Sequence, residues 1–277
     1  MEPLVALRLQ IEFGADEALE EAPVDRLRPF VPAAVATPDP LPAGAPAGMV
    51  AVPSRPRTGE YPASAESDAG RGAVPSAAAT AAELAATADT LPALRAAIAR
   101  FDGCALKATA ANLVFAEGDP NAGLLLIGEA PSDADDRAGR PFAGPAGAYL
   151  DKMLASIGLD RSRLLLAPLV PWRPPGDRPP SPAERAACRP FLHRLILLVR
   201  PRRVVLLGPL AVQDLLGSGR RGKEAWRALA APPLDPIPAL AAQDPGFLLR
   251  APGPARRRAW TELRLLRRGL DADITKS

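Results

Sequence analysis

Four short apolar runs set the frame for this chain: LLLIG at 124–128, RLLLAPLV at 163–170, VVLLG at 204–208 and PIPALAA at 236–242. Each is short for a buried helix and is bounded by glycine, proline or charge, which predicts a buried strand. Helical patterns lie between them. AGAYLDKMLASIGLD places Tyr149, Leu150, Met153, Leu154 and Ile157 on one face, with Gly158 as a natural stop. Ser181-Pro182-Ala183-Glu184 is a capping box with proline at the first helical position, so a helix runs from there to about Arg200. AAELAATADTLPALRAAIARF (81–101) reads as one or two helices, PLAVQDLLG follows the third strand, and residues 254–268 close the pattern with a basic helix. This alternation predicts an α/β fold, a three-layer α/β/α arrangement around a central, mostly parallel four-stranded sheet. In such sheets ligands bind just beyond the carboxyl ends of the strands. The stretch GEAPSDADD, which follows LLLI, marks one such end.

The remainder of the chain is of a different kind. The 34 prolines are about twice the usual share, and residues 23–80 are dominated by Pro, Ala, Gly and Ser. A segment of that composition buries too little apolar surface to offset its ordering entropy, so 23–80 is expected to be a disordered linker. Residues 1–22 carry Leu4, Leu7, Leu9, Ile11 and Phe13 before an acidic run and predict a short amphipathic helix. The domain is expected over 81–270, with 271–277 as a tail. No run approaches the roughly 18 apolar residues of a membrane helix, and the early acids argue against a signal peptide. Two cysteines in 277 residues point to a reducing compartment rather than a disulfide framework. A monomeric cytoplasmic protein with no membrane partner is the expectation.

Several segments, in order and spacing, resemble the iron–sulfur (family 4) uracil-DNA glycosylases. They are FDGCALKATAANLVFAEGDP (101–120), LLLIGEAPSDADD (124–136), GRPFAGPAGAYLDKML (139–154), WRPPGDRPPSPAERAACRPFL (172–192), RPRRVVLLGPLAVQDLL (200–216), RGK (221–223) and DPGFLLR (244–250). The resemblance implies DNA repair by base excision: uracil is flipped from DNA into a pocket and its N-glycosidic bond is hydrolysed. It assigns Phe142 as the aromatic wall that stacks on the base. Gly128 and Ala130 supply pocket backbone, and Glu129 a catalytic carboxylate. Arg173, Arg178, Arg221, Lys223 and Arg250 fall in basic segments that lie on the DNA side in the family, where cations neutralise phosphates.

Two positions that carry the chemistry depart from the family. Pro168 stands where the family has an asparagine that reads the uracil edge, and proline has neither a polar side chain nor an N–H. Asp244 stands where the family has a histidine that stabilises charge on the departing base. Losing one such donor typically costs about 10²–10³ in rate. The expectation therefore divides between a glycosylase and a catalytically degenerate module that binds DNA or a repair partner. The single histidine, His193, falls within a helix and reads as a helix-face residue. The family's cluster ligands map to Phe101, Cys104, Trp172 and Cys188. Two thiols cannot close a four-iron cluster, so no cofactor is expected and no metal site is assigned.

Overall fold

A computed structural model describes residues 76–217, 226–251 and 253–274. The expected N-terminal helix and nearly all of the expected linker lie outside the described residues, as do Arg221 and Lys223. The first helix, α1 (Ala77–Ala86), starts just inside the stretch assigned to the linker. Ser76 caps it by accepting from the Ala79 N–H. A second helix, α2 (Leu91–Arg100), follows, capped by Thr90 with Pro92 in its first turn. The 81–101 segment is thus two helices, and the cap-plus-proline pair makes the break.

The remaining elements alternate as expected. In chain order they are β1 (Glu117–Gly118), β2 (Leu124–Gly128), α3 (Asp133–Ala138), α4 (Pro145–Ser156), β3 (Leu165–Pro168), α5 (Pro182–Val199), β4 (Arg203–Leu207), α6 (Pro209–Leu216), β5 (Trp226–Ala231), β6 (Leu234–Ala242), α7 (Pro245–Arg250) and α8 (Gly253–Ile274). The Ser181–Glu184 capping box is present, and α5 ends one residue before Arg200, which takes the left-handed conformation. The last helix runs through Ile274, so residues 271–274 belong to it and not to a tail.

The sheet has six strands, in the order β1-β3-β2-β4-β6-β5, where four were expected. The four expected strands form its parallel centre. Two antiparallel edges are added. β1 is two residues long, too short to leave a pattern. β5 reads WRALAA, an alanine-rich run in which Leu229 and Ala231 are buried on one face and Trp226 packs half-buried on the other. Its period of two is hidden because alanine marks neither face.

The central strands are buried on both sides, which is why their sequences read as continuous apolar runs. Leu125, Ile127, Val204 and Leu206 face the layer of α1, α2, α5 and α6. Leu124, Leu126, Val205 and Leu207 face α4, α7 and α8. This three-layer build leaves the carboxyl ends of β2, β3, β4 and β6 side by side at one edge.

Candidate functional site

At that edge β2 ends on Gly128, in register with Pro168 at the end of β3. The Leu169 N–H donates to the carbonyls of Gly128 and Glu129, at 2.9 Å each. On the other side the Gly208 N–H, just past β4, donates to the Ala242 carbonyl at 3.0 Å. Backbone bonds thus tie the ends of β2 and β3, and those of β4 and β6, and the residues that follow them gather at one edge of the sheet.

Phe142 reaches this edge from the loop between α3 and α4. Its φ is +53°, rare for a non-glycine residue. Its ring lies against Gly128: a Cβ there would be 2.6 Å from the Phe142 Cζ. The loop is held from three sides. Arg161 donates through Nη2 to the Phe142 carbonyl at 2.7 Å, itself braced by Asp151. The Ala143 N–H donates to Asp135 Oδ1 at 2.6 Å. Gly147 has no Cβ where one would stand 1.8 Å from the Phe142 oxygen. These contacts offset the cost of the left-handed backbone, which is of order 1–2 kcal/mol.

Glu129 follows Gly128 directly. Its Oε1 accepts from the Leu210 N–H at 2.7 Å, at the start of α6. The carboxylate rests on Gly208, where a Cβ would meet Oε1 at 2.4 Å. Burial pushes the Glu129 carboxyl above its usual range and the Asp244 charge adds to this, while the Leu210 N–H and Arg185 pull it down. Asp244 caps α7, accepting from the Phe247 N–H at 2.7 Å. Burial raises its carboxyl too, against the N–H groups of Phe247 and Gly246 and the charge of Arg250. Burial thus raises both carboxyls above their ordinary values, while the N–H groups that each accepts from oppose it. Beside Asp244, a Cβ on Gly246 would lie 3.7 Å from Ala146, in the first turn of α4 just after Phe142. Ala130 is half-buried against the apolar layer under the sheet.

The acids of α3 are structural. Asp135 forms a reciprocal capping box with Ser132 as well as holding Ala143. Asp136 accepts from the N–H groups of Ala111 and Asn112. Asp133 pairs with Arg173 at 2.7 Å. Two of the expected DNA contacts are consequently engaged elsewhere. Arg173 bonds Asp133 and Asp177. Arg178 grips Glu184 with both terminal nitrogens, at 2.9 and 2.6 Å. Arg250 is exposed at the end of α7. Sequence reasoning missed Phe247 and Leu249, which are 49% and 40% exposed on the same helix. The signal was present in GFLLR, since a six-residue helix cannot bury three consecutive apolar residues on one face.

The residues at the cluster-ligand positions do not fit a four-iron cluster. The Cys104 and Cys188 sulfurs are 3.8 Å apart, but Phe101 and Trp172 fill the other two places as buried core side chains. Phe101 packs edge-on against Phe191, with ring centroids 5.2 Å apart. Among the described residues no three His, Cys, Asp or Glu side chains converge on a metal position. The hydrogen bond with Cys188 lowers the Cys104 thiol to about 7 against the opposing effect of burial. A groove of about 260 Å³, whose lining mixes Arg163, Arg202 and Arg267 with Asp119, Asp271 and Asp273, lies at the opposite edge of the sheet, beside the start of β2. Among the described residues no helix is long and apolar enough to cross a membrane.

Residues 115–264, more than half the chain, match the family model of the uracil DNA glycosylase superfamily. The chain is 37% identical over 124 residues to a type-4 uracil-DNA glycosylase of Pyrobaculum aerophilum, a match covering 44% of this chain and 63% of that protein. It is 41% identical over 106 residues to that of Sulfurisphaera tokodaii, covering 38% and 48%. It is 40% identical over 110 residues to that of Archaeoglobus fulgidus, covering 40% and 55%. The chain thus spans between about half and just under two thirds of the length of these relatives.

Proposed function

Because the chain belongs to the uracil DNA glycosylase superfamily, we propose that its strand-end crevice takes an extruded uracil from DNA and hydrolyses its N-glycosidic bond. The base stacks on Phe142. Phe247 and Leu249 meet the DNA left unstacked by base extrusion, as exposed apolar side chains do in proteins that part base steps. Arg250 neutralises a phosphate beside them. Water adds to the sugar carbon as the glycosidic bond breaks, leaving an abasic site and free uracil.

The observation that carries this reading is Asp244. An ionised carboxylate facing a departing uracil anion opposes the reaction. At about 4 Å and an effective dielectric near 20 the repulsion is roughly 4 kcal/mol. Burial raises the Asp244 carboxyl, and in its neutral form the O–H donates to the developing charge as the family's histidine does. Asp244 then works only in its protonated state. Glu129 acts as a positioning residue that fixes the start of α6 against β2. The test is cleavage of a uracil-containing oligonucleotide, read as abasic sites between pH 5 and 8. Turnover that grows toward acid supports the proposal.

Pro168 favours a second reading, in which the chain binds DNA or a repair partner without cleaving. Its ring offers no donor to a base edge at the end of β3. Salt-sensitive binding without abasic sites at any pH selects this reading.

A further inference from the structure

We propose that Cys104 and Cys188 form a peroxide-oxidisable dithiol that closes to an intrachain disulfide. They are the two cysteines of the chain. Their sulfurs lie 3.8 Å apart although the residues are 84 positions apart in sequence. Both are buried, at 4% and 1% exposure, in an apolar wall that includes Phe101, Trp172 and Phe191. Each thiol is thus the other's nearest reaction partner, in a place from which water is excluded. A disulfide needs the sulfurs at about 2.05 Å, a closure of under 2 Å that side-chain rotation can supply. Cys104 stands in extended backbone just before a 3₁₀ turn and makes no side-chain capping bond. Asp102 and Gly103, immediately before it, are exposed, so a small local opening admits a molecule the size of hydrogen peroxide.

The chemistry balances with a hydroperoxide as oxidant. The Cys104 sulfur attacks one peroxide oxygen, the O–O bond breaks, and the other oxygen leaves as water after protonation. The resulting sulfenic acid is attacked at sulfur by Cys188; the S–O bond breaks and a second water leaves. Two thiols and one peroxide give one disulfide and two waters, and two electrons pass from sulfur to oxygen. The closed loop contains β2, the Phe142 segment, α4 and β3. Oxidation therefore closes a covalent loop around these elements, using the positions where relatives of the iron–sulfur type would place cluster ligands.

The test is independent of glycosylase activity. The reduced full-length chain is treated with equimolar hydrogen peroxide, then denatured, alkylated and weighed. The expected result is a loss of about 2 Da and no alkylated thiol, reversed by a phosphine reductant. A Tm about 10 °C above that of the reduced protein should accompany it. Cys104→Ser and Cys188→Ser should each abolish both changes. If either variant fails to fold by circular dichroism, peptide mapping of the oxidised wild-type chain for the 104–188 link decides instead. Two alkylatable thiols after peroxide, a gain of oxygen without the loss of hydrogen, an interchain dimer, or stoichiometric iron and sulfide in the purified protein would each overturn the proposal.

Discussion

The ring of Phe142 lies over the α-carbon of Gly128, so close that a methyl group there would stand 2.6 Å from its Cζ. The aromatic wall and the end of β2 are therefore fitted to one another, and each can be perturbed alone. Phe142→Ala removes the stacking face. Base–aromatic stacking contributes about 1–3 kcal/mol, so affinity for a uracil-containing oligonucleotide should fall about 10- to 100-fold in a titration. Stability should change little, because the ring is only half-buried. An unchanged affinity would remove Phe142 from the site.

Gly147→Ala acts on the same wall from behind. Its new Cβ would collide with the Phe142 carbonyl, a backbone atom that cannot swing away. A loss of about 1–3 kcal/mol in denaturant unfolding is expected, together with weaker oligonucleotide binding. Gly139→Ala is the control. Its positive φ strains an alanine by about 1–2 kcal/mol, but the new Cβ finds nothing nearer than 3.7 Å, so binding should stay intact.

The pH dependence of turnover follows from Asp244. Its folded-state carboxyl is raised by burial, so the neutral form grows as pH falls through that raised value. Abasic-site formation per enzyme should rise from pH 8 toward pH 5.5. Asp244→Asn, a neutral donor at every pH, should flatten that limb. Stability has the same sign. A raised carboxyl contributes fully below its ordinary unfolded value and loses that contribution as pH rises through the folded one. Asp244→Asn should therefore reduce the loss of Tm between pH 5 and 8.

Glu129 separates charge from shape. Glu129→Gln keeps an acceptor for the Leu210 N–H and removes a charge that burial and Asp244 both disfavour. Its Tm at pH 8 should equal or exceed that of the wild type. Glu129→Ala leaves that N–H unpaired and should cost about 1–3 kcal/mol. A Gln variant as unstable as the Ala variant would show that the charge itself holds α6.

The arginines divide by partner. Arg178→Ala breaks a two-pronged bond to Glu184, which is the main reason the Glu184 carboxyl sits as low as about 2. The stability Glu184 contributes is present above its ordinary range and is lost as pH falls toward 2. Arg178→Ala should therefore narrow the acid side of the unfolding curve and leave DNA affinity nearly unchanged. Arg250→Ala should reduce the slope of log affinity against log salt by about 1. The opposite assignment of the two effects would restore Arg178 as a phosphate contact.

How much of this was legible depended on the range of the force involved. The four parallel strands, the cap at Ser181 and the stop at Gly158 follow from residues within a few positions of one another, and local pattern displays them, whereas the cap at Ser76 fell inside the stretch read as linker. Phe142 could be singled out by resemblance, but not the positive φ and the three holds that aim its ring. The edge strand β5 stayed hidden because alanine marks neither face of a strand.

The amino-acid sequence by itself determined the layered α/β scheme, the edge of the sheet on which a ligand would sit, and the substitution of Pro168 and Asp244 at two chemically important places. Tertiary structure alone decided what the charged residues there are free to do. Arg173 meets Asp133 across 40 positions and Glu129 meets the Leu210 N–H across 81. Such pairings depend on which strand ends are brought side by side. Burial, which lifts the carboxyls of Glu129 and Asp244, exists only once both layers have closed over the sheet.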